Sequence, residues 1–194
     1  MSARKGRDAL MSGRAEEILR RIEEEARRKY LPIMGPLRGR VLAELVAQLK
    51  PKRVLEVGTL IGYSAIFMGK ELESDAEIIT IEIDKEEAEI ARKNIERAKI
   101  KPKVQVIVGD ASDIIPTLQG EFDLVFLDGH KSEYLKHLKM IEKKLHQGSV
   151  VVADNAGAYM YLMKDYLDYI RNSGRYKSRF IQQGEDGLEV SIKL

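Results

Sequence analysis

The sequence predicts an α/β fold in which a seven-stranded, mostly parallel sheet is covered by helices on both faces. Strand-like runs alternate with segments of helical periodicity, and strands separated by helices form parallel sheets. The runs lie at 53–57, 77–83, 104–108, 122–127 and 148–153, and the helical segments near 62–73, 85–99, 111–118, 131–145 and 159–172. Near the C-terminus, the runs 176–181 and 188–194 flank the turn-forming residues 184–187. That pattern predicts a hairpin, which adds antiparallel strands at the sheet edge.

Two further helices are expected before the first strand. The first carries its apolar residues on one stripe, Ile18, Leu19, Ile22 and Ala26. It is predicted over 14–29, and a second helix over 37–49 ends before a proline. Residues 1–13 are basic and small, and we expect them to be mobile. The chain is therefore predicted to be a single domain, with N-terminal helices over 14–50 and the core that carries the chemistry over 51–194.

Composition excludes several classes of protein. The 194 residues include 33 Lys and Arg against 31 Asp and Glu, and this balance requires neither a nucleic-acid nor a membrane partner. With no Cys, disulfides and thiolate metal sites are excluded. No apolar run approaches the roughly 18 residues of a membrane span, and the N-terminus lacks the apolar core of a signal peptide. A soluble, cytoplasmic protein is expected.

The first helix also carries acidic and basic residues four positions apart, with the acidic residue first, which is the more favourable order. These pairs are Glu16/Arg20, Glu17/Arg21, Glu23/Arg27, Glu24/Arg28 and Glu25/Lys29. Abundant ion pairing with few thermolabile residues is typical of thermophile proteins, and we take a thermophilic origin as a hypothesis.

Polar side chains end three of the predicted strands: Glu82, Asp128, Asp154 and Asn155. Open α/β sheets place their chemistry at these strand ends, where a carboxylate after the second strand commonly holds a ribose. Two carboxylates and an amide converging there would form an oxygen-rich site for a divalent cation. The pattern indicates a nucleoside cofactor beside a metal-bound substrate. Taken alone, Asp154-Asn155 and Asp128-Gly129 are equally consistent with simple turns.

The loop after the first strand indicates which nucleoside fits. A dinucleotide fingerprint needs a second glycine two residues after Gly58, but Leu60 occupies that position, which argues against NAD and FAD. A cofactor without phosphates could place its carboxylate at the helix N-terminus near Ser64. S-adenosylmethionine has this form, and Glu82 would accept its ribose hydroxyls. An NAD-dependent oxidoreductase is kept as an alternative.

Several motifs together resemble one family. They are the segments 55–65, 80–84, 109–116, 126–131, 152–155 and 186–191. In this order they resemble the cation-dependent class I O-methyltransferases that use S-adenosylmethionine, the group of catechol and caffeoyl-CoA O-methyltransferases with their prokaryotic relatives. The fold that the resemblance implies is the Rossmann-like class I methyltransferase fold.

The resemblance also implies roles for individual residues. The cofactor-binding residues would be Met34, Glu56, Gly58, Ser64, Glu82, Asp110, Ala111 and Asp128. Among them, Glu56, Gly58 and Ser64 would line the methionine end, while Asp110 and Ala111 would flank the adenine. Met34 matches a segment that closes over the cofactor.

The metal site and the general base follow from the same resemblance. Positions matching Asp128, Asp154 and Asn155 ligate Mg²⁺ or a similar divalent cation, and this set would leave about half of an octahedral shell for water and substrate. Lys131 matches the candidate general base, and a lysine beside a divalent cation should lose its proton more readily.

The methyl acceptor is less defined. Catechol enzymes carry a carboxylate six residues before the Asp of the terminal Asp-Gly-Leu-Glu segment, and here that position is Phe180, which puts a catechol in doubt. We expect a small substrate with vicinal oxygens. Methylation of 5-hydroxyuridine in tRNA is the alternative, with basic residues near the N-terminus (Arg4, Lys5, Arg7, Arg14) as its support. The apolar stripe of the first helix needs covering, by its own domain or a second subunit, and a homodimer is expected.

Overall fold

The computed structural model describes residues 2–194, with side chains described from residue 13 onward. Its centre is one seven-stranded sheet in the order β3-β2-β1-β4-β5-β7-β6. The strands are β1 Arg53–Val57, β2 Glu77–Glu82, β3 Lys103–Val108, β4 Phe122–Leu127, β5 Leu145–Ala153, β6 Tyr176–Gln183 and β7 Asp186–Lys193.

The strand directions confirm a mostly parallel sheet. Strands β1 to β5 pair in parallel, whereas β7 pairs antiparallel with both β5 and β6. The expected C-terminal hairpin is therefore present, and only residues 184 and 185 connect its strands. The chain order reverses between β1 and β4, which makes their carboxyl ends the switch point where such sheets bind ligands.

The helices lie between the strands as expected, and several are shorter than predicted. They are α1 Ser2–Lys29, α2 Gly35–Leu49, α3 Tyr63–Gly69, α4 Lys85–Ala98, α5 Ala111–Ile114, α6 Tyr134–Ile141 and α7 Lys164–Asn172. Pro116 shows why α5 is short: a proline lacks the N–H that a helix interior needs, and the chain continues as a 3₁₀ turn, Ile115–Thr117. Similar single turns flank α6 and precede α7. Strand β5 begins at Leu145, three residues before the expected 148, because Leu145 pairs with Phe122 beyond an irregularity in which β5 has extra residues opposite β4.

Helices cover both faces of the sheet, as predicted. On one face α1, α2 and α3 pack on Val54, Phe126 and Val152, and α4 packs against α1 and α3. On the other face α5, α6 and α7 pack on Leu55 and Val125. Successive residues of each central strand thus enter opposite halves of the core, as in any parallel sheet buried on both faces.

The apolar stripe of α1 is covered by its own chain. Its residues Ile18, Leu19, Ile22 and Ala26 are all buried, and α1 contacts α3 and α4. The stripe therefore gives no support for a second subunit, and the homodimer stays a prediction.

The charged residues of α1 pair only partly as expected. Arg21 reaches Glu17 at 2.5 Å and Lys29 reaches Glu25 at 2.6 Å, both on the exposed face. Glu16 instead reaches Lys70 at 2.6 Å, and Glu23 accepts a hydrogen bond from the Tyr63 hydroxyl. The thermophile hypothesis stays open.

Helix α1 begins at Ser2, well before residue 14, where the sequence pattern starts. The expected mobility of residues 1–13 stays a prediction. Met1 and the side chains of Arg4, Lys5 and Arg7 lie outside the described part of the chain. None of the helices within residues 2–194 is both long and apolar enough for a membrane span.

Candidate active site

A cleft of about 570 Å³ opens at the carboxyl ends of the central strands, beside the switch point. This volume is typical of small-molecule sites. Every residue that the sequence predicted as part of the site lines the cleft except Glu56: Met34, Gly58, Ser64, Glu82, Asp110, Ala111, Asp128, Lys131, Asp154 and Asn155.

The loop after β1 lies directly against the end of β4. Gly58 has φ +94°, in the left-handed region, and a Cβ built there would lie 2.6 Å from the carbonyl oxygen of Asp128. Only glycine fits such an approach without displacing the backbone. The Asp128 N–H also donates to the Val57 carbonyl at 2.8 Å. The two halves of the cleft are therefore joined through backbone at this point.

Glu82, at the end of β2, braces the same loop. Its Oε2 accepts the N–H groups of Thr59 at 3.0 Å and Leu60 at 2.7 Å, while Oε1 accepts the N–H of Asp84 at 3.0 Å. A carboxylate has about four acceptor positions, so acceptor capacity remains beside the cleft. Glu82 thus links the shape of the glycine loop to the end of the neighbouring strand.

Glu56 does not line the cleft, because its carboxylate is fully buried behind the loop. One oxygen accepts from the Ser64 hydroxyl, and the other accepts from the Thr80 hydroxyl at 2.5 Å. Burial raises the pKa of Glu56 to about 7, although both hydrogen bonds oppose the shift. Its contact with the cleft runs through Ser64 at the start of α3.

The acidic end of the cleft holds two carboxylates, Asp154, which is buried, and Asp128, which is partly buried. Asp128 follows β4 and Asp154 follows β5, and these strands pair at Leu127 and Ala153. The Lys131 ammonium lies 3.0 Å from Asp128 Oδ1. Burial raises the pKa of Asp128 against the opposing charge of Lys131. Burial and then the charge of Asp128 raise the pKa of Asp154 well above its usual range.

A third carboxylate, that of Asp186, orients the residues beside this pair. Its Oδ2 accepts the Asn155 side-chain N–H at 2.7 Å and also bonds the Arg38 guanidinium. Arg38 lies 3.2 Å from Asp154 Oδ1, without hydrogen-bond geometry, and its Nε donates to the Met34 carbonyl at 2.9 Å. Helix α2 is thereby tied to the acidic end of the cleft.

The chemistry of these groups fits a divalent cation of the magnesium type. Asp154 Oδ1 is buried without a hydrogen-bond partner, and such an atom in a native fold calls for an explanation. Since the Asn155 nitrogen is used by Asp186, its oxygen remains as a ligand atom. Within the described part of the chain no three His, Cys, Asp or Glu side chains converge on a metal-sized site. The candidate set has two carboxylates and an amide.

The walls of the cleft include residues with no predicted chemistry. His130 lines it. Tyr159 lines it as well and is 44% exposed. Phe180 is 40% exposed and packs beside Gly157 and Gly187, so the hairpin presents an aromatic ring where a carboxylate was considered.

Two contributors were missed by the sequence reasoning. Arg38 lies on α2, far outside the strand pattern, and no local signal marks it. Asp186 belongs to a recognised motif, but its bonds to Asn155 and Arg38 span 31 and 148 positions of sequence.

The doubly wound sheet, with its cleft at the switch point, has the architecture of α/β proteins that bind ligands at the carboxyl ends of their strands. The sequence of residues 10–164 matches the O-methyltransferase family model. Catechol O-methyltransferase B of Danio rerio is 37% identical over 94% of this chain and 74% of its own length.

Two further relatives agree with this match. The catechol O-methyltransferase of Niastella koreensis is 39% identical over 63% of this chain, which spans 57% of that relative. The O-methyltransferase of Bacillus cereus, solved in complex with SAH, superposes with a TM-score of 0.82 at 26% identity, covering 92% of this chain and 91% of that one. The chain therefore belongs to the O-methyltransferase family, and the resemblance inferred from the motifs is confirmed.

Replacing Gly58 by Ala tests the backbone junction between the two halves of the cleft. The left-handed φ and the contact with Asp128 should together cost about 2 kcal/mol or more of unfolding free energy. Urea unfolding measures this loss. Gly129→Ala is the matched control, because a Cβ there meets Val57 at an ordinary 3.5 Å. Equal stability of the two variants would contradict the described junction.

Replacing Glu56 by Gln tests its raised pKa. The folded state holds the Glu56 proton up to about pH 7, whereas the unfolded chain releases it near 4.5, so stability from this group falls as pH rises through that window. A glutamine cannot ionise, and the variant should gain up to about 3 kcal/mol relative to wild type between pH 5 and pH 8. Glu185→Gln removes an exposed carboxylate as control. Parallel pH profiles for Glu56→Gln and wild type would refute the shift.

Proposed function

We propose that this protein is a divalent-cation-dependent O-methyltransferase that uses S-adenosylmethionine and methylates a hydroxyl of a small substrate with vicinal oxygens. The observation that carries the proposal is the composition of the cleft. One half has the loop and strand-end carboxylate suited to a nucleoside, and the other half has Asp128, Asp154 and Asn155.

The cofactor half supports S-adenosylmethionine over a dinucleotide. The loop is closed around Leu60, which has φ +49° and leaves no glycine for a pyrophosphate. Ser64 stands in the first turn of α3, where backbone N–H groups favour a carboxylate. Glu82 offers acceptor capacity for a ribose, and Asp110 and Ala111 stand at the start of α5 for an adenine. The Bacillus cereus relative was solved with SAH, which agrees with this ligand.

The acidic half supports a cation. When bound, a divalent cation would lower the pKa of a chelated hydroxyl and fix its position. Asp128 and Asp154 supply the charge, and Asn155 supplies a neutral oxygen. Arg38 and Lys131 lie against the same carboxylates, so positive charge is already favoured there.

Lys131 is the proposed general base. It follows Asp128 by three residues on the wall of the cleft, and its side chain is 18% exposed. Beside a bound divalent cation, Lys131 would lose its proton more readily, and the neutral amine would then take the hydroxyl proton of the acceptor at Nζ. The acceptor oxygen would bond the methyl carbon as the carbon–sulfur bond of S-adenosylmethionine breaks, and S-adenosylhomocysteine would leave. Close and aligned approach of the reacting atoms supplies much of the rate gain.

The rim of the acidic half limits the acceptor. Tyr159 lines the cleft, and Phe180, whose ring lies beside Gly157 and Gly187, supplies no carboxylate for a second hydroxyl. A vicinal-oxygen substrate held by the cation and by flat apolar walls agrees with these groups better than one that needs an extra acidic contact.

The alternatives are weaker. The hypothesis of an NAD-dependent oxidoreductase is rejected because the chain belongs to the O-methyltransferase family. For tRNA, the basic side chains of α1 are the main support, and two of them, Arg21 and Lys29, are paired with acidic neighbours. Retention on tRNA at moderate salt, with methylation of a hydroxylated uridine, would favour that acceptor.

Removing the metal tests the proposal as a whole. Methyl transfer from S-adenosylmethionine is assayed with catechols, flavonoids and total tRNA, with Mg²⁺ and with EDTA. We expect activity on at least one vicinal-oxygen phenol, lost in EDTA and restored by added Mg²⁺. Activity that persists in EDTA would overturn the metal dependence.

Replacing Lys131 by Met tests the general base. Loss of a positioned base costs about 10²- to 10⁴-fold, so kcat should fall by about a hundredfold or more while the affinity for S-adenosylhomocysteine stays near wild type. Lys143→Met, an exposed lysine beyond α6, is the matched control. A near-wild-type kcat for Lys131→Met would remove this residue from the mechanism.

A further inference from the structure

Asp186 begins β7, the second strand of the C-terminal hairpin, in a sequence motif that has so far been given no role in either half of the cleft. The Asp186 carboxylate is among the most fully engaged groups in the described chain. Its Oδ1 accepts the N–H groups of Gly157 at 3.1 Å, Ala158 at 2.9 Å and Gly187 at 2.8 Å. Its Oδ2 accepts from Asn155 at 2.7 Å and from Arg38. Such a carboxylate is fixed in position, because each backbone bond restricts it.

This fixed carboxylate determines which atom Asn155 can offer. Asn155 has φ +62°, a left-handed conformation that asparagine tolerates but that needs support from its surroundings. The bond to Asp186 uses the amide nitrogen, since a carboxylate can only accept. The amide oxygen is therefore the ligand atom that remains. The Ala156 N–H also donates to the Gly187 carbonyl at 3.1 Å, which holds the loop after β5 against the hairpin.

Asp186 also binds the guanidinium of Arg38 and so affects where its positive charge lies. The guanidinium lies between Asp186 and Asp154, 3.2 Å from the unbonded Asp154 Oδ1. The Arg38 side chain is 15% exposed, so its charge is little screened by solvent. Without the negative charge of Asp186, Asp154 would be left as the carboxylate nearest to Arg38. That cation would then compete with any metal for the same oxygen.

We propose that Asp186 is the positioning residue of the divalent-cation site: it orients the Asn155 amide and holds Arg38 away from full neutralisation of Asp154. This inference rests on the proposed function, because it assumes that Asp128, Asp154 and Asn155 bind a cation. Asp186, in the sequence motif of the hairpin, would thus affect metal binding without touching the metal. Residues that orient metal ligands typically change metal affinity by about 10- to 100-fold when replaced.

The test is a Mn²⁺ titration of the full chain, followed by the electron paramagnetic resonance signal of free Mn²⁺, with S-adenosylhomocysteine present. Asp186→Asn should weaken Mn²⁺ binding by about tenfold or more. Its affinity for S-adenosylhomocysteine, measured by calorimetry, should change by less than about threefold, within the usual scatter of such contacts. In the methyl-transfer assay, the KM for Mg²⁺ should rise while kcat at saturating Mg²⁺ stays near wild type.

Glu185→Gln is the matched control, because it removes the same charge from the neighbouring, exposed position of the hairpin turn. Unchanged Mn²⁺ affinity in Asp186→Asn, or an equal loss in Glu185→Gln, would overturn the proposal. If Asp186→Asn fails to fold, Arg38→Met decides: tighter Mn²⁺ binding than wild type supports the proposal, and equal or weaker binding refutes it. Wild-type protein that binds no Mn²⁺ would instead refute the proposed metal dependence itself.

Discussion

The placement of two carboxylates with little exposure at adjacent strand ends is the constraint on which the rest of the site depends. Asp128 and Asp154 follow strands that pair directly, so the sheet itself brings together one buried and one partly buried carboxylate. Like charges in such a place are unfavourable unless protons or cations accompany them, and the raised pKa of each acid expresses that cost. Lys131 and Arg38 offset part of it from two different elements. A divalent cation would meet the same need more completely, and for this reason the acids suggest a metal site as much as a structural ion-pair cluster.

Contacts that involve the backbone fix the position of the cofactor half of the cleft relative to the acidic half. Gly58 lies against the Asp128 carbonyl, and Glu82 braces the loop that Gly58 begins. Behind the loop, Glu56 of β1 bonds Ser64 of α3 and Thr80 of β2, so two strands and the helix after the loop share one network. In an enzyme that moves a methyl group between two bound molecules, the distance between their sites must be fixed. In this protein that distance depends on Gly58, which has no side chain, and on the carboxylates of Glu56 and Glu82, which hold the surrounding elements by hydrogen bonds.

Much of this arrangement could be predicted because it follows from strand periodicity. In a parallel sheet, the residue after each strand reaches the same edge, so Glu82, Asp128 and Asp154 had to lie near one another once the strands were recognised. Leu60 likewise distinguished the loop from a dinucleotide fingerprint. Element ends were less predictable: the early start of β5 depends on its pairing with β4, and the sequence analysis extended α5 past Pro116, which lacks the N–H of a helix interior. Arg38 and Asp186 could not be joined from sequence, since no periodicity links a helix before the sheet to the hairpin after it. Glu56 was expected to line the methionine end of the cofactor, but it lies in β1 with its carboxylate buried against Ser64 and Thr80, and strand periodicity does not show those contacts.

The central claim is that Asp128, Asp154 and Asn155 form a cation site beside a nucleoside cleft. The most direct measurement is a crystal structure of the protein with Mn²⁺ and S-adenosylhomocysteine, using anomalous scattering to locate the metal. The account predicts one strong anomalous peak within coordination distance of oxygens of these three residues. It also predicts that Arg38 remains on Asp186. A strong peak elsewhere, or no peak with Arg38 still against Asp154, would contradict it.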